Sequence, residues 1–194
     1  MQKLTMATVC LVAGTAFLVI RQSTSAQEGS GSSRAAPPRA TRPPTPEEFQ
    51  QSFWKYLNRK EAPYANWAAI AGKEEMRKGE PPHGKFTKTY ANKVAADDLK
   101  NLPLGAILVT ENYAEDQKKL EDITIMYRVK GTDPRHYDWY WLKYLPNGSI
   151  ARSPEKDGKK PIAGKVASCI ECHAKAGGND LVYSNDPAET ADKK

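Results

Sequence analysis

The most specific functional motif of this sequence is Cys169-Ile-Glu-Cys172-His173, two cysteines followed directly by a histidine. On a helical turn, residues three and four apart share one face. Both thiols can therefore reach the edge of a flat ligand while the histidine turns towards its centre. This is the pattern of c-type haem attachment, in which the cysteines add to the vinyl groups and the histidine ligates the iron. The motif predicts one covalent haem c, bound through Cys169 and Cys172, with His173 as the metal ligand.

Two other kinds of site use the same cysteine spacing. A structural zinc site needs four ligands, and beyond the motif and Cys10 the sequence offers only His83 and His136 as further histidine or cysteine ligands. A thioredoxin-type dithiol stands at the start of a helix after an early strand, whereas this motif comes late in the sequence. Both interpretations are weaker than haem attachment, and both stay open at this point.

A second axial ligand of the iron would have to come from the remaining methionines and histidines. Electron carriers with His/Met ligation have a methionine downstream of the motif, but no methionine follows His173. Met76 and Met126 precede it and are interpreted as core residues rather than ligands. His83 and His136 are interpreted as loop histidines held by backbone hydrogen bonds, with a second axial ligand as the alternative for His83. We therefore expect a five-coordinate iron with one open face.

The elements that must position the motif are a helix at each end of an antiparallel sheet. Thr45-Pro46-Glu47-Glu48 is a helix start signal, and apolar residues at helical spacing follow it, so we expect a helix over 46–59. Segments 105–111, 122–129 and 137–144 are rich in β-branched and aromatic residues and predict strands. A further strand over 85–90, a short helix over 94–99 and a hairpin turn at 146–148 are also expected. The fold class is α+β, an antiparallel sheet with an N-terminal helix and a C-terminal haem-attachment helix, which argues against the four-helix cytochromes.

Three regions of different composition divide the chain. Residues 1–26 combine a basic start, an apolar stretch and a small-residue run, the pattern of a cleavable signal peptide, so we expect a periplasmic protein. Residues 27–44 are rich in Pro, Ser and Gly and are expected to form a disordered tether. Residues 45–194 are expected to form the haem domain. The net charge of +6 comes from basic residues interleaved with acidic ones, which is typical of a solvated surface and excludes a nucleic-acid partner.

Short motifs are spread over residues 67–183. They are Pro82-His83-Gly84, Tyr90-Ala-Asn92, Leu104-Gly105-Ala-Ile-Leu-Val109, Glu111-Asn112-Tyr113, Met126, Asp138-Trp139-Tyr-Trp141, Pro146-Asn-Gly148, the cysteine motif and Asp180-Leu-Val-Tyr183. Together they resemble the cytochrome P-460 family, which includes the β-sheet branch of cytochrome c-prime. The resemblance implies a periplasmic haem protein on an antiparallel sheet, a homodimer, and a five-coordinate iron that binds nitric oxide, hydroxylamine or similar small ligands.

One position departs from the crosslinked members of that family. Those members carry a lysine bonded to the porphyrin directly after the Gly-Ala-x-x-Val stretch, where this sequence has Thr110. A hydroxyl cannot form that bond, so the uncrosslinked, nitric-oxide-binding members become the closer analogue. Strand alternation places Thr110 on the same face as Leu108, the face that the family turns towards haem.

Thr110 and Leu108 are therefore expected to contact the haem. Trp139 and Trp141, which lie in the predicted strand 137–144, are expected to contact it as well. The alternatives are that Thr110 is a simple strand former and that the two tryptophans are packed core residues.

Three functions follow from these expectations. The leading one is a sensor, scavenger or detoxifier of nitric oxide or related nitrogen oxides, in which the cofactor supplies the ligand chemistry. The second is electron transfer to or from a partner such as another cytochrome. The third is a hydroxylamine or peroxide oxidoreductase, which would need a distal base that no adjacent His or Arg pair in the sequence identifies.

We expect export to remove residues 1–26, because the apolar stretch ends in small residues that suit a signal peptidase. Mass spectrometry of the protein recovered from the periplasm measures this directly. A chain that retains Cys10 would instead indicate an uncleaved membrane anchor.

Overall fold

The computed structural model describes residues 44–70, 75–154 and 160–183. The expected signal peptide, 1–26, and all but the last residue of the expected tether, 27–44, lie outside these ranges. Within them, no helix combines the length and apolar character needed to cross a membrane.

Three helices occur in the described residues, and the first begins where the sequence predicted. Helix α1 spans Pro46–Leu57, α2 spans Lys93–Ala96 and α3 spans Ala167–His173. At the start of α1 the Thr45 hydroxyl accepts a hydrogen bond from the Glu48 amide, and the Glu48 carboxylate accepts one from the Thr45 amide. This reciprocal pair satisfies two amides that a helix start leaves without intrahelical partners.

Seven strands form one antiparallel sheet in the described part of the chain. The order is β1-β3-β4-β5-β6-β7, with β2 also paired to β3. Their bounds are β1 Ala68–Ala69, β2 Arg77–Lys78, β3 Phe86–Ala91, β4 Ile107–Tyr113, β5 Leu120–Arg128, β6 Trp139–Tyr144 and β7 Ala163–Gly164. The antiparallel sheet with a helix at each end confirms the α+β class.

Local backbone conformation explains where the strands depart from the predicted bounds. Strand β4 starts after Gly105, whose φ of +88° places it in the left-handed region that favours glycine. Strand β6 starts only at Trp139, because Tyr137 and Asp138 also have positive φ angles. The predicted turn at 146–148 is confirmed, since the Gly148 amide donates to the Leu145 carbonyl at 2.9 Å.

Both faces of the sheet are covered. The first face packs against α1, whose Phe53 and Leu57 join the core, and the Tyr144 hydroxyl donates to the Gln50 carbonyl at 2.7 Å. Its strand residues include Tyr90, Ile107, Val109, Ile123, Ile125, Leu142 and Tyr144. The second face holds a separate core with α2, α3 and the segment after α3, and includes Ala91, Ala106, Leu108, Met126, Trp139 and Trp141. Ile123 and Ile125 lie on one face and Met126 on the other, as the predicted alternation requires.

We expect Leu57→Ala to lower the free energy of unfolding by about 2–5 kcal/mol, because Leu57 is fully buried between α1 and the sheet and its loss leaves a cavity. Urea unfolding followed by circular dichroism measures the change. Gln51→Ala, on the exposed side of the same helix, is the matched control and should change stability by no more than about 0.5 kcal/mol. Equal losses in the two variants would contradict the packing described for α1.

Candidate haem site

Helix α3 brings the three residues of the cysteine motif to one cavity. Cys169, Cys172 and His173 all line a space of about 880 Å³ on the second face of the sheet. Both cysteines are half-buried. The helical spacing therefore places the motif on one surface, as the sequence predicted.

His173 is fixed in one tautomer by the segment that follows α3. Its Nδ1 lies 2.8 Å from the Leu181 carbonyl oxygen, and because a carbonyl can only accept, Nδ1 carries the proton. The other nitrogen, Nε2, then keeps a lone pair for a metal. Burial is the main cause that lowers the pKa of His173, which favours the neutral imidazole that a metal requires.

The Leu181 carbonyl is held in place by a strained turn. Asp180 and Leu181 have φ angles of +66° and +60°, in the left-handed region that non-glycine residues rarely adopt. The Asp180 carboxylate accepts from the Leu102 amide at 3.1 Å and from the Arg128 guanidinium at 3.2 Å. The Trp139 indole donates to the Asp180 carbonyl at 2.6 Å. These contacts stabilise the turn that presents the acceptor to His173.

Three cross-strand rows form the sheet side of the cavity, and all their members except Ala91, Asn112 and Asp122 line it. Strand pairing places one apolar row beside two polar rows. The rows are Ala91, Leu108, Met126 and Trp141; Thr89, Thr110, Thr124 and Lys143; and Thr87, Asn112 and Asp122. The wall therefore offers apolar contact at one end and hydroxyl groups with the Lys143 amine at the other.

The structure brings three of the four expected haem-contacting residues outside the motif to the cavity. Thr110, Leu108 and Trp141 line it, and Thr110 lies 3.1 Å from Thr89 through their hydroxyl oxygens. Trp139 is fully buried and is absent from the cavity lining. Its expected haem contact is replaced by a structural one, because its indole is turned to the Asp180 carbonyl.

Trp141 supplies an observation that fits a cofactor. Its ring centre lies 4.8 Å from that of His173, and its indole nitrogen is buried without a hydrogen-bond partner among the described residues. Buried donors are rarely left unpaired in native proteins. The Trp141 ring lines the cavity, so an acceptor group that reached this buried nitrogen would satisfy it.

His83 is a cavity residue, although the sequence favoured a loop histidine over a residue of the site. It was expected to be held by backbone hydrogen bonds, but its Nδ1 lies 3.1 Å from the Asn112 amide oxygen and 3.2 Å from the Thr124 hydroxyl. Its ring centre lies 6.3 Å from that of His173. Burial is the main cause that lowers the pKa of His83. No local pattern could have revealed these contacts, because Asn112 and Thr124 lie on strands distant in sequence.

The structure places the other two candidate iron ligands, Met126 and His136, in the core and in a loop, respectively. Met126 belongs to the apolar row of the wall and is buried. His136 pairs with the Asp133 carboxylate at 2.8 Å and does not line the cavity.

The two competing uses of the cysteines find little support. In the described ranges, no three His, Cys, Asp or Glu side chains cluster as a metal site, which disfavours structural zinc. Burial raises the pKa of the Cys169 thiol, whereas a reactive dithiol needs a lowered pKa.

The cavity therefore fits a haem group on its own geometry. Its volume is in the range of cofactor sites, two thiols line it, and so do an imidazole in the tautomer that binds a metal and the Trp141 ring beside that imidazole. Cys169 and Cys172 would hold the group covalently and His173 would hold its iron.

Comparison with known families gives an independent finding. The family model described as Cytochrome P460 matches residues 61–184, more than half of the chain, including the whole sheet and α3. No curated protein matches the chain significantly.

We expect haem to be bonded to the chain only through Cys169 and Cys172, because Thr110 presents a hydroxyl where a crosslink would need an amine. Proteolytic digestion and mass spectrometry of the haem-bearing peptides, with a haem stain on a denaturing gel, measure this. The stain should persist in wild type and disappear in the Cys169→Ser, Cys172→Ser double variant.

The outcome that would contradict this prediction is haem on a second peptide. Lysines do line the cavity, namely Lys78, Lys143, Lys160 and Lys165. Lys143 is engaged with Asp122 at 2.9 Å and Lys165 with Asp133 at 3.7 Å. A haem-bearing peptide that contains any of these lysines would restore the crosslinked members as the closer analogue.

Proposed function

Since the chain belongs to the cytochrome P460 family, we propose that it is an exported cytochrome with one covalent haem c, whose iron binds a small nitrogen-oxide ligand. Nitric oxide is the favoured ligand and hydroxylamine the second. Export to the periplasm and assembly as a homodimer belong to the same proposal, and they are supported by the sequence of residues 1–26 and by the motif resemblance.

The observation that carries this proposal is the orientation of His173 at a cavity much larger than its own side chain requires. The hydrogen bond to Leu181 leaves Nε2 as the ligating atom. The cavity that His173 lines extends over residues from the three rows of the sheet wall. When bound, haem supplies an iron that can form a bond to nitric oxide or hydroxylamine. The chain supplies the proximal ligand, the apolar wall and the polar groups that surround the bound ligand.

The hydroxyl row supports a nitrogen oxide rather than an apolar gas as the ligand. Thr89, Thr110 and Thr124 place three hydroxyl groups side by side in the cavity wall. A hydroxyl can rotate to donate a hydrogen bond to an oxygen or nitrogen atom of a ligand. Thr110, at the centre of the row, is the residue we assign to this contact.

Electron transfer is the second candidate, and His83 is the observation that favours it. A second imidazole in the same cavity could occupy the position that a small ligand would otherwise take. An absorption spectrum of the reduced, haem-loaded protein before and after addition of excess nitric oxide separates the two functions. A spectrum that excess gas leaves unchanged at equilibrium would contradict ligand binding and favour electron transfer.

We expect Thr110→Val to speed nitric oxide dissociation about two- to ten-fold, since the lost hydrogen bond is worth about 0.5–1.5 kcal/mol. Stopped-flow absorption of the ferrous complex, with a trap for the released gas, measures the rate. Thr87→Val, which removes a hydroxyl elsewhere in the same wall, is the matched control and should leave the rate unchanged. Equal rates in wild type and Thr110→Val would remove Thr110 from the ligand contact.

A further inference from the structure

We propose that the contacts around Asp180 set the strength of the bond between His173 and the haem iron. Asp180, Arg128 and Trp139 are the positioning residues. None of the three lines the cavity, so they act only through the Leu181 carbonyl. The inference rests on ligation of the iron by His173, which belongs to the proposed function, and it does not depend on which small ligand the iron binds.

The Leu181 carbonyl controls how strongly the imidazole of His173 donates to a metal. It accepts a hydrogen bond from Nδ1 at 2.8 Å. A hydrogen bond at this nitrogen draws the proton towards the acceptor and raises the electron density at Nε2, so the imidazole becomes a stronger ligand. A stronger axial ligand favours ferric over ferrous iron and lowers the reduction potential. Displacement of the carbonyl therefore weakens the iron–histidine bond and raises the potential.

Three anchors at one end of neighbouring strands hold the turn that carries this carbonyl. The Asp180 carboxylate accepts from the Leu102 amide, which precedes β4, and from the Arg128 guanidinium, at the end of β5. The Asp180 carbonyl accepts from the indole of Trp139, at the start of β6. Arg128 and Trp139 are also paired with each other in the sheet, so the turn is attached to a hydrogen-bonded part of the fold.

The ion pair of Arg128 and Asp180 is better explained by positioning than by stability. The two side chains are only 19% and 9% exposed, and the Arg128 Nε is buried without a hydrogen-bond partner among the described residues. Burial of charged groups carries a desolvation cost that their mutual attraction often fails to offset. Asp180 and Leu181 also have left-handed backbone, which costs free energy. Both costs fall on the turn that orients the acceptor of His173, and strain of this kind is typical of functional sites.

Contacts beyond Leu181 keep the segment in place when one anchor is removed. Val182 is buried in the core of the second face, and the Tyr183 hydroxyl donates to the Cys172 carbonyl at 2.9 Å. Loss of one anchor is therefore expected to lengthen the hydrogen bond to His173 without detaching the segment from α3.

The test is the iron–histidine stretching frequency of the ferrous, haem-loaded protein, measured by resonance Raman spectroscopy with no added ligand. Trp139→Phe removes the indole donor, keeps an aromatic ring and changes no charge, and it should lower this frequency. The ratio of reduced to oxidised protein at a fixed potential should rise about two- to ten-fold. That rise is a reduction potential more positive by about 20–60 mV for one electron. Trp54→Phe, on the first face of the sheet, is the matched control and should change neither quantity.

A pair of charge variants separates positioning from a direct effect of charge on the iron. Asp180→Asn removes a negative charge and keeps a residue that tolerates left-handed backbone, whereas Arg128→Met removes a positive charge. A direct effect would move the reduction potential in opposite directions in the two variants and leave the stretching frequency unchanged. Positioning predicts a lower frequency in both, and Arg128→Lys, which keeps a cation, should retain most of the wild-type frequency. Opposite potential shifts at an unchanged frequency would overturn the proposal.

Haem staining and nitric oxide titration of each variant keep this inference apart from the proposed function. If wild type holds haem but does not bind the gas, and Trp139→Phe still shifts the frequency and the potential, the ligand assignment fails while positioning stands. If Trp139→Phe keeps the wild-type potential, positioning is overturned whether or not the gas binds. The potential can be measured at any coordination number of the iron, so it decides the question even where no iron–histidine band is visible. A wild type without haem would overturn both proposals.

Discussion

The hydrogen bond from His173 to the Leu181 carbonyl is the contact on which the rest of the site depends. It decides which ring nitrogen can bind a metal, and it requires two consecutive non-glycine residues, Asp180 and Leu181, in left-handed backbone. Such conformations cost on the order of 1–3 kcal/mol each and persist only where neighbouring contacts hold them. Here the holding contacts come from Leu102, which precedes β4, and from Arg128 and Trp139 at the ends of β5 and β6. The orientation of one imidazole is thus connected to the strands through a single turn.

A second constraint fixes the register of β4, which lies in the middle of the sheet. Thr110 faces the cavity while the next residue, Glu111, is buried on the opposite face, where it accepts hydrogen bonds from Tyr64, Tyr90 and Tyr113 at 2.9, 3.1 and 2.9 Å. Burial, with the added effect of Glu111, raises the pKa of Tyr113 to about 12 and raises those of the other two tyrosines, so all three stay protonated donors.

The cost of a slip in that register is set by Glu111. A shift by one residue would exchange the two faces and remove the carboxyl group of Glu111 from Tyr64 and Tyr90, which lie outside β4. A buried polar group without its partners is strongly disfavoured, so the position of Thr110 in the cavity wall is secured by a contact on the other side of the strand.

The sequence predicted those features of the fold and the site that neighbouring residues determine, but not the contacts between residues far apart in the chain. The start of α1 and the alternation in β5 are written in neighbouring residues, and each was predicted correctly. The attachment motif is equally local, and its chemistry stays a prediction. The contacts of Trp139 and His83 could not be predicted, because their partners lie far away along the chain, at Asp180 for the tryptophan and at Asn112 and Thr124 for the histidine. Periodicity assigned Trp139 to the correct face but could not show that the segment after α3 would cover it.

The helix that carries the haem motif is itself a product of these long-range contacts. Helix α3 has only seven residues and no side-chain hydrogen bond at its N-cap, Val166, so its intrinsic stability is low. It is held at its C-terminal end by the His173 contact and by the Tyr183 hydroxyl, which donates to the Cys172 carbonyl at 2.9 Å. A group bonded to both cysteines would stay attached in the unfolded chain, so it would stabilise the folded state through its contacts with His173 and the sheet wall, which unfolding breaks. The same three residues that would bind the cofactor would therefore also make the C-terminal part of the fold depend on it.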